Sequence, residues 1–233
     1  MSKPQYYSLK GDFFIRKRSD PTAKPFYFGN AAAATFSMTR ETVTLRSSGN
    51  ESGDLAVEEV SKSATLSITG NNLEARNLAM YLYGTVQAQA EATAQTFTLP
   101  ALKDGEMFKL PHVNVSDVEI EDLTEGEDFK VLAAGGVVVA LKDIAASAAG
   151  TYDAGEAQAL GVFTTDGDEY EVTYVSERTG KTIVIHRWKP NPASAFELIS
   201  NEFAAPVLEG PVLLDETLPE GPLGRFAVVY DSK

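Results

Sequence analysis

The feature that most constrains this chain is a period-two alternation of apolar and polar residues, carried by β-branched and aromatic side chains along most of its length. Successive side chains on a strand point to opposite faces, so this pattern specifies half-buried strands rather than helices, whose apolar positions recur every three to four residues. In the candidate strand 35–46, Thr42, Thr44 and Arg46 alternate with Val43 and Leu45, which predicts one wet and one dry face. The candidate strand 62–69 repeats the pattern through Ala64, Leu66 and Ile68. Further strands are predicted at 11–18, 115–121, 129–132, 137–141, 169–175, 181–188, 207–214 and 225–230, separated by turn clusters such as Glu125-Gly126-Glu127-Asp128 and Thr179-Gly180. Many short strands at this spacing specify a sandwich or barrel.

Two segments depart from the pattern. Asn71 or Asn72 is the expected N-cap of a short helix on which Leu73, Leu78, Ala79 and Leu82 share a face, with Gly84 as its left-handed C-cap. After it, residues 85–99 alternate Val86, Ala88, Ala90, Ala92 and Ala94 with polar residues. Alanine and glutamine favour helix, but the apolar spacing favours one long strand with a small-residue face. The expected fold is therefore mainly β: a β-sandwich or barrel of two packed antiparallel sheets, one short flanking α-helix and a long extended loop. Residues 1–233 are read as a single domain with an N-terminal arm at about 1–10. An inter-strand loop at about 47–60 is far longer than a hairpin needs, and a flexible insertion rich in alanine, glycine and serine lies at about 143–160.

Composition removes several function classes. The chain of 233 residues has no cysteine, so it can form neither a disulfide nor a thiolate metal site, and its net charge of −13 opposes a general grip on duplex DNA. Residues 1–6 lack the apolar core of a signal peptide. The longest apolar stretch, 131–141, spans eleven residues around Gly135-Gly136, against about 20 for a bilayer span. The expectation is a soluble protein made in the cytosol, with no membrane partner.

The chemistry-bearing residues are few. Gly180-Lys181-Thr182 is the nearest approach to a phosphate loop, but Val175 stands where the earlier glycine belongs, and β-branched residues follow where a helix should begin. It reads as a hairpin turn. His112 and His186 are the only imidazoles; neither has a nucleophile motif or a metal-ligand spacing beside it, and both read as surface or packed residues. Glu125-Gly126-Glu127-Asp128 and Asp166-Gly167-Asp168-Glu169 offer oxygen ligands without the rest of a calcium loop. No catalytic residue, metal or cofactor is expected.

Charge is unevenly placed along the chain. Residues 1–50 hold eight Lys plus Arg and three Asp plus Glu, a net of +5 that leaves −18 for the remainder. Arg16-Lys17-Arg18 is the densest basic run, read either as a solvated strand end or as an inter-subunit basic patch meeting an acidic surface on another copy. Unlike complementary surfaces on one subunit favour head-to-tail association.

The order of elements carries a resemblance. Thr65-Leu66-Ser67-Ile68-Thr69-Gly70-Asn71-Asn72-Leu73, then Leu78-Ala79-Met80-Tyr81-Leu82-Tyr83-Gly84, form a strand-helix junction. Glu127-Asp128-Phe129-Lys130-Val131 and Glu171-Val172-Thr173-Tyr174 follow as recurrent strand patterns, and the C-terminal Phe196-Glu197-Leu198-Ile199 and the run 224–230 also fit. Together with the oversized acidic loop, this order resembles the tail tube (major tail) proteins of long-tailed bacteriophages.

The resemblance implies a structural virion protein that self-assembles into hexameric rings stacked head-to-tail. The resulting tube conducts DNA during infection without binding it specifically. The tape measure, tail terminator and distal tail proteins would be its other partners. Loop 47–60 would reach the adjacent ring through Leu55 and Val57 as apolar contacts and Glu51, Asp54, Glu58 and Glu59 as charged ones. Strands 35–46 and 62–69 would line the lumen, where excess carboxylate repels phosphate. The competing class is a ligand- or carbohydrate-binding adhesin-like module, with Trp188, Tyr6, Tyr7, Tyr27, Tyr81 and Tyr83 as sugar-stacking candidates. An enzyme comes third.

Overall fold

The computed structural model describes residues 10–48, 53–145, 147–199 and 201–232. In chain order the elements are β1 (Asp12–Lys17), β2 (Phe26–Tyr27), β3 (Ala31–Arg46), β4 (Asp54–Gly70), α1 (Ala75–Tyr81), β5 (Thr85–Gln89), β6 (Ala92–Leu99), β7 (Met107–Lys109) and β8 (Val115–Ile120). There follow β9 (Phe129–Leu132), β10 (Val137–Ala140), β11 (Ala148–Ala154), β12 (Ala157–Gly161), β13 (Tyr170–Ser176), β14 (Lys181–Trp188), β15 (Val207–Val212) and β16 (Ala227–Asp231). The fold is mainly β, built of antiparallel sheets with a single α-helix among the described residues, as the alternation predicts. None of the described helices is long and apolar enough to cross a membrane.

The chain's contacts sort into two compact units, one drawn from Met1–Thr85 with Val162–Lys233 and the other from Val86–Gly161. The first holds an eight-stranded sheet in the order β2-β1-β13-β14-β15-β4-β3, with β16 also paired to β14. Its core is the inward half of each alternating strand: Ile15 from β1, Leu66 and Ile68 from β4, Val172 from β13, Ile185 and Trp188 from β14, Leu208 and Val212 from β15. The Trp188 indole N–H donates to the Gly210 carbonyl at 3.3 Å, which satisfies the one polar atom of a fully buried ring.

Helix α1 is shorter than expected and presents a different face. It begins at Ala75, so Asn72 lies ahead of it and accepts the Glu74 N–H at 3.2 Å. Its buried residues are Asn77, Met80 and Tyr81 rather than the leucine stripe. Residues three and four apart share a helix face, and Asn77 is carried inward because its amide donates to the Phe28 carbonyl at 2.8 Å. The left-handed residue after the helix is Tyr83, with φ +48°, and not Gly84.

The second unit contains the three-stranded sheets β7-β10-β9 and β6-β11-β8 and the pair β12-β5. Leu99, Leu110, Phe129, Val138 and Tyr152 are its fully buried centre. Two expectations are corrected here. The long strand 85–99 is two strands, β5 and β6, and Ala94 takes φ +51° while its N–H bonds Asp153 at 2.7 Å. The supposed flexible insertion 143–160 contains β11, the central strand of its sheet, and β12. Its small residues serve packing: a Cβ at Gly150 would stand 2.6 Å from the Phe97 ring, so Phe97 lies over that strand only because the position is glycine.

The extended loop 47–60 is corrected as well. Strand β3 ends at Arg46 and β4 begins at Asp54, so only 47–53 connect them. Val57, Glu58 and Glu59 lie in the ladder opposite Thr44, Val43 and Thr42.

Candidate assembly surface

The hairpin of β3 and β4 is the most exposed regular element of the first unit. Strand β15 pairs with β4 only from Ala64 to Thr69. From Arg40 and Lys62 outward, the hairpin is therefore two strands with no third neighbour, and β3 is the sheet edge along its whole length. The expected dry face is absent in the single chain: Met38 is 76% exposed, Val43 60%, Leu45 61%, Val57 56% and Val60 58%. Val57 stands opposite Thr44, and Leu45 opposite Ala56, so apolar side chains emerge on both faces.

Two ion pairs cross the hairpin, Arg40 to Glu59 at 2.9 Å and Arg46 to Asp54 at 3.5 Å, and Glu59 also accepts Lys62 of its own strand at 2.7 Å. Lys62 and then Arg40 draw the Glu59 carboxyl below its usual range. The register shifts between Glu41 and Thr42, a bulge that leaves Val60 without a ladder partner and adds local twist. A two-stranded hairpin is marginal by itself in water, and a long edge strand invites pairing. Of the residues expected at a ring contact, Asp54, Val57, Glu58 and Glu59 are on this hairpin, whereas Glu51 and the Leu55 side chain lie outside the described residues.

The basic run is bound within its own chain. Arg16 faces Glu171 across the β1–β13 ladder and pairs with it at 2.8 Å. Lys17 reaches Asp168 at 2.6 Å. Arg18 donates to Asp215 at 2.8 Å and to the His186 carbonyl at 2.7 Å. Asp215 is nearly closed off, 3% exposed, and also accepts the Thr217 N–H and hydroxyl. Burial alone would raise its pKa, but the hydrogen bonds from Thr217 and Arg18 outweigh that, and the carboxyl is held below the usual range. Next to this network Arg187 grips Glu169 through Nε and Nη2, at 2.7 and 2.8 Å. The inter-subunit patch of Arg16, Lys17 and Arg18 is thus first an intramolecular ion-pair network. Sequence reasoning did not find its carboxylates, because their chain separations of 155 and 197 residues are closed only by the sheet register.

The remaining motifs resolve into structure. Residues 176–181 make the β13–β14 turn, with Gly180 at φ +64° and its carbonyl accepting the Ser232 hydroxyl at 2.8 Å, as a hairpin reading requires. In the acidic turn 125–128, Asp128 accepts the Thr124 N–H at 2.6 Å and pairs with Lys142, which lowers its pKa. That carboxylate is committed to the turn. The imidazole of His112 hydrogen-bonds the Tyr152 hydroxyl through Nδ1 at 2.7 Å, so His112 is a packed residue.

The sugar-stacking set loses its main members, because Trp188 and Tyr81 have no exposed surface. Tyr83 is half-buried and donates to the Pro190 carbonyl. Tyr27 is half-exposed, and Tyr6 and Tyr7 lie outside the described residues. The segment 196–199 belongs to the loop before β15.

A family model with the description "Protein of unknown function UCP028589" matches residues 6–230 of the chain. No curated protein matches it.

Proposed function

The chain belongs to that family, and we propose that it is a structural virion protein whose copies form stacked hexameric rings, the tail tube through which phage DNA passes. The observation that carries this reading is the β3–β4 hairpin, sixteen and seventeen residues long and exposed with apolar side chains on both faces. Such an element is stable when neighbours cover it. Neighbouring copies in a ring supply cover to its faces, and the next ring supplies cover to its tip. The order of elements that resembles tail tube proteins agrees with this use, and so does the excess of carboxylate after residue 50, which would keep DNA moving instead of bound. The competing carbohydrate-module reading loses Trp188 and Tyr81, which are buried.

The test is assembly itself. Purified chain at increasing concentration, followed by size exclusion and negative-stain microscopy, should give rings or tubes. The double variant Leu45→Glu, Val57→Glu should abolish them with an unchanged melting curve, since both side chains are more than half exposed in the single chain. A strict monomer at every concentration overturns the proposal.

A further inference from the structure

The turn ahead of β13 holds two apolar side chains in solvent on a fixed frame. The Phe163 N–H donates to the Leu82 carbonyl at 3.0 Å, and the N–H groups of Thr164 and Thr165 donate to the Tyr83 carbonyl at 2.9 and 3.1 Å. Clamped in this way, Val162 is 51% exposed and Phe163 69%. Phe163 also takes φ +53°, a left-handed backbone that glycine adopts at far less cost than a bulky aromatic residue. Such strain persists only where the surroundings enforce it, and it collects at functional positions. Three residues on, Asp166 is exposed and its carboxylate has no ion pair among the described residues.

The same unit holds a cavity of about 670 Å³, within the range of binding sites. Phe13, Tyr174 and Ile183 stand in one row across β1, β13 and β14 and give it an apolar wall. Strand β3 contributes Phe36 and the short side chain of Ala34, which leaves room. The ladder sets Ala34 beside Ile68 and Phe36 beside Leu66, both buried, so these two β3 positions share the inward face. Lys10 is the single charged residue lining the cavity; it is exposed and has no ion pair among the described residues. Phe163 of the same chain, 69% exposed, does not fill this space.

We propose that Val162 and Phe163 of one copy insert into the Phe13–Tyr174 cavity of a second copy, with Asp166 meeting Lys10. An apolar tip then enters an apolar cavity, and one unneutralised carboxylate meets one unneutralised ammonium. The strained turn keeps the aromatic ring in the open, so little ordering remains to be done on docking. One chain presents both halves of the contact on different surfaces, so the association is heterologous and repeats head-to-tail. This rests on the self-assembly reading above and specifies which surfaces meet.

The absence of native cysteine makes the contact directly testable. Single variants Val162→Cys and Ala34→Cys, both at exposed positions, are mixed at assembling concentration and treated with a short bis-maleimide. The control mixture pairs Val162→Cys with Met107→Cys, whose site is 66% exposed in the second unit. A crosslinked dimer of one Val162→Cys chain with one Ala34→Cys chain, absent from the control, is the expected result. Rings or tubes without that dimer overturn the docking and leave self-assembly standing. No dimer in a chain that stays monomeric overturns both, and equal crosslinking in the two mixtures reports random collision and overturns the docking alone. Phe163→Gly gives a second reading: it should melt no lower than the native chain, because glycine accepts the positive φ, and should raise the concentration needed for assembly at least about tenfold. Unchanged assembly of this variant overturns the docking, and a lowered melt overturns the assignment of Phe163 as an anchor by showing that it serves the fold.

Discussion

Replacing Arg18 by methionine decides whether the basic run serves the fold or a neighbour. Methionine keeps an unbranched apolar stem and removes the guanidinium, so the change deletes the bonds to Asp215 and to the His186 carbonyl and little else. The Arg18 side chain is 22% exposed and that of Asp215 4%, which places the pair between a screened surface bridge and a fully buried one. Two charge-assisted bonds at the low end of about 1.5 kcal/mol each give a loss of about 3 kcal/mol. Part of it is the cost of leaving a buried carboxylate with only Thr217 for company. For a unit of this size each kcal/mol moves the midpoint by roughly 2–4 °C, so melting followed by circular dichroism should fall by roughly 6–12 °C. Arg40→Met, whose side chain is 61% exposed in its pair with Glu59, is the comparison; solvent screens that pair, and the melting curve should barely move.

The same variant has a pH signature. The Asp215 carboxyl is depressed in the folded chain, so its contribution to stability is present above the ordinary aspartate pKa of about 3.9 and is lost as pH falls through the lower folded value. Without Arg18 the folded value returns toward the ordinary one. The gap in melting temperature between native chain and variant should therefore be full at neutral pH and narrow below about pH 4 toward the share held by the His186 carbonyl bond, which does not titrate. An Arg18→Met chain that melts with the native one, or a gap that persists undiminished into acid, refutes the structural reading. A normal melt combined with lost assembly would return the run to an inter-subunit role.

Three further outcomes follow from packing. Gly210→Ala sets a Cβ 2.1 Å from the Lys189 carbonyl oxygen and 2.5 Å from the Pro190 Cα; backbone cannot give way as a side chain can, so urea unfolding should show a loss of about 1–3 kcal/mol. Tyr152→Phe removes the hydrogen bond to His112 and should cost about 1 kcal/mol, read on the same curves. Asp128→Asn breaks the pair with Lys142 while leaving an acceptor for the Thr124 N–H. It should reduce the acid sensitivity of the second unit's melt, because a carboxyl depressed by Lys142 loses its contribution as pH falls.

Sequence alternation located a strand wherever it also recorded burial. The expected 181–188 coincides with β14, and 62–69 falls within β4, because Ala64, Leu66, Ile68 and Ile185 face a core. It misjudged elements whose residues answer to something else. Gly150 of β11 carries no hydrophobic signal because it makes room for Phe97. Asn77 turned the helix face because of one carbonyl distant in sequence. The outer half of the hairpin reads as a loop in sequence: its serines and glutamates are solvent-facing, but in a ladder.

Charge shows most clearly how position in sequence differs from position in space. The split of +5 and −18 suggested a subunit with opposed faces, yet Arg16, Lys17 and Arg18 each meet a carboxylate of the acidic remainder inside the same chain. Glu59 and Asp54 likewise meet Arg40, Lys62 and Arg46 along the hairpin. Much of the polarity is thus spent in folding, and an assembly driven by it would have little left to use. The fold also leaves large apolar side chains uncovered: Val43, Leu45 and Val57 on the hairpin, Leu198, Ile199 and Phe203 on the loop before β15. If copies of this chain associate, burial of those side chains must supply most of the driving force, with residual charge setting orientation. Assembly should then withstand added salt far better than a contact built on the basic run would. Light scattering across a salt series measures this, and dissolution of assemblies at moderate salt would refute it.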